Sequence, residues 1–141
     1  MPEILVQYFK PMIDKLNYSS ELNAYLLSVL VQINKSEDFS KDSLTIKYIE
    51  AQAKYNFQLY QAIGDWILFC QTYAPQHLSS ADEKYYNALA QSSYYACYII
   101  LKRQWKLFEE LADLYPAVIK DLRDSTKRAN LNNAISGRIF Y

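Results

Sequence analysis

The stretch LTIKYIEAQAKYNFQLYQAIGDWILFCQTY, residues 44–73, decides how the rest of the chain is read. Along it Tyr48, Gln52, Tyr55, Leu59, Ala62, Trp66, Phe69 and Tyr73 recur in steps of four and three, a heptad-like seam that never changes phase. A second stripe, Ile46, Ile49, Ala53, Tyr60, Ile63 and Ile67, runs along another face. Two apolar stripes predict one long central helix, about 44–73, touched by protein from both sides. Its polar face runs Lys47, Glu50, Lys54, Gln58, Gln61 and Asp65 and then closes, so that Trp66 to Cys70 is apolar all round. A helix apolar all round is covered all round. The end of this rod therefore needs a lid: the N-terminal segment, the C-terminal tail or a second subunit.

Gly64 and Asp65 stand where the polar face ends. Glycine in a helix interior costs roughly 1 kcal/mol against alanine. That cost is expected where a neighbouring helix crosses with its backbone close by. Asp65 is expected at the edge of the lid, accepting hydrogen bonds from a tyrosine hydroxyl or from backbone N–H groups. The competing reading makes Asp65 a ligand-binding carboxylate in a pocket lined by Tyr60, Trp66 and Tyr94.

Composition agrees with a helical chain. There are 2 glycines and 4 prolines in 141 residues, too few for the many turns of an all-β fold. Apolar residues make up 51% and charged residues 21%, as in a folded globule. The expectation is an all-α bundle of four to six helices around the long central one. It forms a single domain over 1–141, with a C-terminal tail from about 129 as a candidate for flexibility. Lys+Arg and Asp+Glu are both 15, so the formal net charge is zero. Proteins that live on phosphate contacts carry a basic excess, and the absence of net charge removes one barrier to self-association.

Working outward, Ile4, Leu5, Tyr8 and Phe9 mark a first helix that Pro11 interrupts, unless Pro11 opens a second one. Ser19 or Ser20 caps a helix to about Asn34, striped by Leu22, Leu26, Leu30 and Ile33. A charged loop follows, with Phe39 expected to fold back onto the core. Pro75 ends the central helix, and Ser80 with Glu83 reads as a capping box for the next. That helix carries Tyr85, Leu89, Ser92, Tyr95, Ala96 and Ile99 along one side, and a bend is expected near 100–103. Trp105, Phe108, Leu111, Ala112 and Tyr115 stripe the following helix, which Pro116 kinks or restarts.

Three stretches, AYLLSVLVQI, IGDWILFCQTYAP and SSYYA, resemble a family of bacterial helical proteins that carries no assigned activity. Its members have a helical Gly-Asp, two variable residues, Leu-Phe, and a proline six residues after the phenylalanine. Gly64, Asp65, Leu68, Phe69 and Pro75 match these positions. Ser93 and Tyr94 match a downstream Ser-Tyr, and Tyr25 and Leu26 match a preceding leucine-rich helix. The likeness runs over about 24–115. Thr72 and Gln76 depart from it, since family members tend to have glycine and an acid there. It implies a bacterial, soluble, helical protein and no particular reaction.

Site chemistry is scarce. One histidine, His77, and no CxxC leave no metal-ligand set, and no Glu-x-x-His pair suggests a di-iron bundle. Two glycines cannot build a phosphate-cradling loop. Cys70 and Cys97 lie on apolar stripes and are expected as buried free thiols, whereas a reactive thiol sits exposed in an electropositive setting. Glu109, Glu110 and Asp113 read as a solvated acidic patch. No catalytic residue, metal or cofactor is expected. Residues 1–10 show no signal-peptide pattern, and the longest uncharged run, between Lys84 and Lys102, is too short and polar to span a bilayer, so a cytoplasmic protein is expected.

The 14 tyrosines are the unusual feature. Their rings suit core boundaries and protein interfaces alike. A non-catalytic protein-interaction module, self-associating as a homodimer, is the favoured reading. A small-molecule protein or enzyme with a Tyr/Trp-lined pocket near Asp65 is the alternative. The ligand or interface candidates are Tyr60, Gly64, Asp65, Trp66, Phe69 and Tyr94. Nucleic-acid binding is disfavoured, resting only on the short basic runs LKRQWK and STKR and on the tail.

Overall fold

The computed structural model describes residues 3–32, 41–78 and 82–135. Six α-helices account for these segments: α1 Glu3–Asp14, α2 Ser20–Gln32, α3 Lys41–Lys54, α4 Phe57–Tyr73, α5 Glu83–Ile100 and α6 Lys106–Ile135. The fold is all-α. Phe39, Ser80 and the end of the helix expected to reach Asn34 lie outside the described residues.

The rod expected over 44–73 is two helices. Tyr55 adopts φ 51°, in the left-handed region, and the Asn56 N–H donates to the Ala51 carbonyl at 3.1 Å. This six-to-one hydrogen bond closes α3 as a Schellman-type cap. Asn56 then turns round as the N-cap of α4, its Oδ1 accepting from the Leu59 N–H at 3.2 Å. A non-glycine residue in this conformation costs about 1–2 kcal/mol, which the two caps and the docking of both helices offset. The apolar seam hides the break because it passes through Tyr55 in phase on either side.

α4 is the helix around which the others gather. Gly64 lies against Tyr94, and the Gln71 Nε2 donates to Asn87 Oδ1 at 2.9 Å, so α4 and α5 run antiparallel. Glu83 pairs with Arg123, and Gln91 reaches the Ala112 carbonyl, so α5 and α6 also run antiparallel. At the far end of α4 the Arg123 Nε donates to the Gln71 carbonyl at 2.7 Å, placing a cation where the helix leaves its last carbonyls unpaired. The Gln71 Oε1 takes the buried Tyr115 hydroxyl at 2.7 Å. Gln71 thus ties α4 to both α5 and α6.

The lid over Trp66 to Cys70 comes from the chain itself. Trp66, Ile67, Leu68 and Cys70 are buried, and Phe69 is partly buried. Trp66 packs on His77 from the 3₁₀ turn Pro75–His77, and Phe9 of α1 meets Tyr73 edge-on at 5.6 Å. No second subunit is needed to cover this end.

The α1–α2 turn is tied to α6. The Ser19 Oγ accepts from the Leu22 N–H at 3.1 Å, capping α2 as expected. Its hydroxyl and backbone N–H both donate to the Glu110 carboxylate, and the Tyr18 hydroxyl donates to Asp121 at 2.6 Å. Glu110 therefore belongs to the packing of the bundle rather than to a solvated patch. α5 is capped by Asp82, whose carboxylate accepts from the Lys84 N–H at 3.0 Å, two residues beyond Ser80. The bend expected near 100–103 is present, with Lys102 and Arg103 at φ 57° and 60°.

Pro116 does not restart a helix: α6 continues through it to Ile135, past the position where a tail was expected to begin. Proline removes the N–H that would bond the carbonyl four residues back, here that of Ala112. The Gln91 Nε2 donates to that carbonyl at 2.9 Å in its place. Gln91→Leu is expected to lower the unfolding free energy by about 1 kcal/mol, because Ala112 is buried and its carbonyl loses its partner. In a Pro116→Ala background, where the backbone supplies the donor, the same substitution should be close to neutral. Urea unfolding of the four variants in a double-mutant cycle measures the coupling.

Candidate functional site

The Gly64–Asp65 pair is built around a tyrosine. A Cβ placed on Gly64 would lie 2.8 Å from Tyr94 Cζ, 2.9 Å from its Cε1 and 3.0 Å from its Cε2. The close neighbour that glycine admits is thus an aromatic ring, where the sequence suggested a crossing backbone. Tyr94 is fully buried, stacked on Phe108 at 6.3 Å and 23°, tilted on Tyr115 at 6.1 Å, and met edge-on by Tyr25 at 6.3 Å.

With the ring in that slot, its hydroxyl reaches the next residue of α4. The Tyr94 hydroxyl donates to Asp65 Oδ1 at 2.8 Å. The Tyr25 hydroxyl of α2 donates to the same oxygen at 2.6 Å and accepts from the Gln61 Nε2 at 3.0 Å. One carboxylate oxygen therefore joins α2, α4 and α5. This is the expected acceptor role of Asp65, with its two tyrosine partners now identified.

Electrostatics follow from burial. Desolvation raises the Asp65 pKa from 3.8 to about 6, against the opposing effect of the hydrogen bonds from Tyr25 and Tyr94. Burial first, and then the facing carboxylate, hold both tyrosine hydroxyls well above their ordinary value, so they remain neutral donors. Burial and the Asp65 charge likewise raise the Cys97 thiol, which donates to the Phe57 carbonyl at 3.8 Å. Cys70 and Cys97 are buried and unbridged, as expected, and a thiol held protonated is a poor nucleophile.

The other candidates face elsewhere. Tyr60 is buried against Tyr48, ring centroids 5.6 Å apart. Trp66 and Phe69 pack together at 6.3 Å, with His77 on the Trp66 side and Tyr73 on the Phe69 side. On a helix advancing about 100° per residue, Trp66 and Tyr60 point about 100° and 140° away from Asp65. The pocket expected from Tyr60, Trp66, Tyr94 and Asp65 is therefore not assembled: only Gly64, Asp65 and Tyr94 come together. Of the surface grooves, one of about 570 Å³ lies where the α1–α2 turn meets the start of α6, walled by Trp105, Glu21 and Glu109. Another, of about 280 Å³, lies between α5 and α6 beside Arg123. Among the described residues no group of His, Cys, Asp and Glu is placed to hold a metal ion, and no helix is long and apolar enough to cross a membrane.

What sequence reasoning missed is the outer face of α3. Leu44 and Ala51 are buried and Tyr48 packs inward on Tyr60. Ile46, Ile49 and Ala53 occupy the opposite side, with Ile46 65% and Ile49 59% exposed. Two apolar stripes predict protein on both sides, whereas α3, ending at the break at Tyr55–Asn56, packs on one side only. The exposed ring of Tyr85 borders the stripe, its hydroxyl 2.8 Å from Thr45 Oγ1. No family model, curated protein or solved structure matches the chain.

Proposed function

We propose that this chain is a non-catalytic helical interaction module, bacterial and cytoplasmic, that self-associates through the outer face of α3. The observation that carries this reading is the stripe Ile46–Ile49–Ala53, set directly opposite the helix's buried side. Single exposed apolar residues are ordinary. An aligned set with an aromatic neighbour, on a helix already packed on its other side, has the form of an interaction surface. Against the pocket reading, two of the chain's own tyrosine hydroxyls occupy Asp65 Oδ1, and Tyr60 and Trp66 point to other sides of α4.

Sedimentation equilibrium tests the proposal. The wild-type chain is expected to show mass rising with concentration, and Ile46→Asp with Ile49→Asp to remain monomeric with an unchanged helical spectrum and melting temperature. Association that survives the double substitution would remove α3 as the surface.

A further inference from the structure

We propose that the occupant of the α3 face is the α3 of a second copy, packed antiparallel about a two-fold axis, with Lys47 and Glu50 forming reciprocal ion pairs across it. This rests on the interaction-module reading and adds the partner and its orientation.

The pattern on α3 is self-complementary. Glu50 borders the apolar stripe, and Lys47 and Lys54 stand behind it on the same flank, 3.8 Å and 3.5 Å from its carboxylate. In an isologous pair of antiparallel helices, a flank meets the same flank of its partner. Centring the axis between residues 48 and 49 sets Lys47 opposite Glu50 of the partner subunit, and Glu50 opposite Lys47 of the partner subunit. The same register brings the two Ile49 side chains beside the axis. Each Ile46 then lies next to Ala53 of the partner subunit, a side chain small enough to let the helices approach. One placement satisfies both the apolar stripe and its charged flank. A parallel pairing instead sets the charged flank against the Thr45–Gln52 flank, which offers no charge.

Two further features favour a second copy. The chain has zero formal net charge, so copies approach without mutual repulsion. The flank charges are partly exposed and already paired within the helix, so exchanging them across the axis uncovers no buried charge. A 14-residue helix, about four turns, with the adjoining Tyr85 ring offers less than the roughly 1,200–2,000 Å² of a standard interface. The expected state is a reversible monomer–dimer equilibrium.

Charge reversal and its rescue test the arrangement. Lys47→Glu and Glu50→Lys alone each place like charges across the axis twice and should weaken self-association about tenfold. Mixing the two variants should restore it, because Glu at 47 then faces Lys at 50 and the native Lys47 faces the native Glu50. Sedimentation equilibrium of each variant and of the equimolar mixture reads this out, with circular dichroism confirming that α3 stays folded. Association that is sensitive to Ile46→Asp but shows no rescue on mixing would overturn the antiparallel arrangement and leave the docking face standing. Association insensitive to Ile46→Asp would overturn both. A strictly monomeric wild type that binds a hydrophobic dye, with binding lost in Ile46→Asp, would overturn the second copy and point to another protein.

Discussion

Gly64→Ala is expected to destabilise the bundle by about 2 kcal/mol, although alanine is the better helix former by about 1 kcal/mol. The new methyl group would sit 2.8 Å from Tyr94 Cζ, inside van der Waals contact. Tyr94 cannot yield: it is fully buried, stacked on Phe108, and tied through its hydroxyl to Asp65. Overpacking a core of this kind costs typically 1–3 kcal/mol, and here the displaced ring also loses its hydrogen bond to a charged acceptor. Chemical denaturation of Gly64→Ala, Tyr94→Leu and the double variant measures the effect. If the ring is the obstacle, Gly64→Ala becomes neutral or stabilising once Tyr94 is Leu. A destabilisation that persists without the ring would place the obstacle elsewhere.

The second large effect is a dependence on pH with an unusual sign. Asp65 has a folded pKa of about 6 against 3.8 for an ordinary aspartate, so the folded state binds its proton more tightly than the unfolded chain does. Its contribution to stability is fully present below about 3.8 and is lost as pH rises through about 6. Acidification from pH 7 to below pH 4 should therefore add roughly 3 kcal/mol at this site. Carboxylates paired in the native state oppose this, so the comparison is with Asp65→Asn, which keeps an oxygen for the Tyr25 and Tyr94 hydroxyls and does not titrate. The difference in unfolding free energy between the two proteins should change by about that amount between pH 7 and about pH 3, in favour of the wild type at low pH. A constant difference would show that Asp65 keeps an ordinary pKa.

Much of this was written in the sequence where the signal is local. The stripes of α2 and α4, the Ser19 cap, the bend after Ile100 and the buried thiols are all consequences of side chains a few residues apart. The stripe expected along α5 is not its packed side: Tyr85, Ser92 and Tyr95 are exposed, and α5 instead buries Tyr86, Ala90, Ser93, Tyr94, Cys97 and Tyr98. Asp65 as a hydrogen-bond acceptor was legible because the polar face of α4 ends there. Its donors were not, because Tyr25 and Tyr94 are brought to it by packing. Pro116 shows the same limit. Taken alone it predicts a kink or a restart, and the donor for the carbonyl it leaves without a helical partner is Gln91, one helix away. The break at Tyr55–Asn56 was missed for another reason. Asn56 is of the residue type that caps helices, and the seam through Tyr55 stays in phase across it, so the stripe alone shows no break. Ahead of that break α3 packs inward through Leu44, Tyr48 and Ala51 and leaves Ile46 and Ile49 facing solvent.

The exposed face of α3, once Asp65 is accounted for as a tie between helices, carries the functional reading. Hydrogen exchange at the backbone amides of residues 46–54, followed as the chain concentration is raised, tests it most directly. Protection should increase with concentration over α3 and stay constant over α2. Exchange over α3 that does not change with concentration, in a protein that self-associates, would contradict the account.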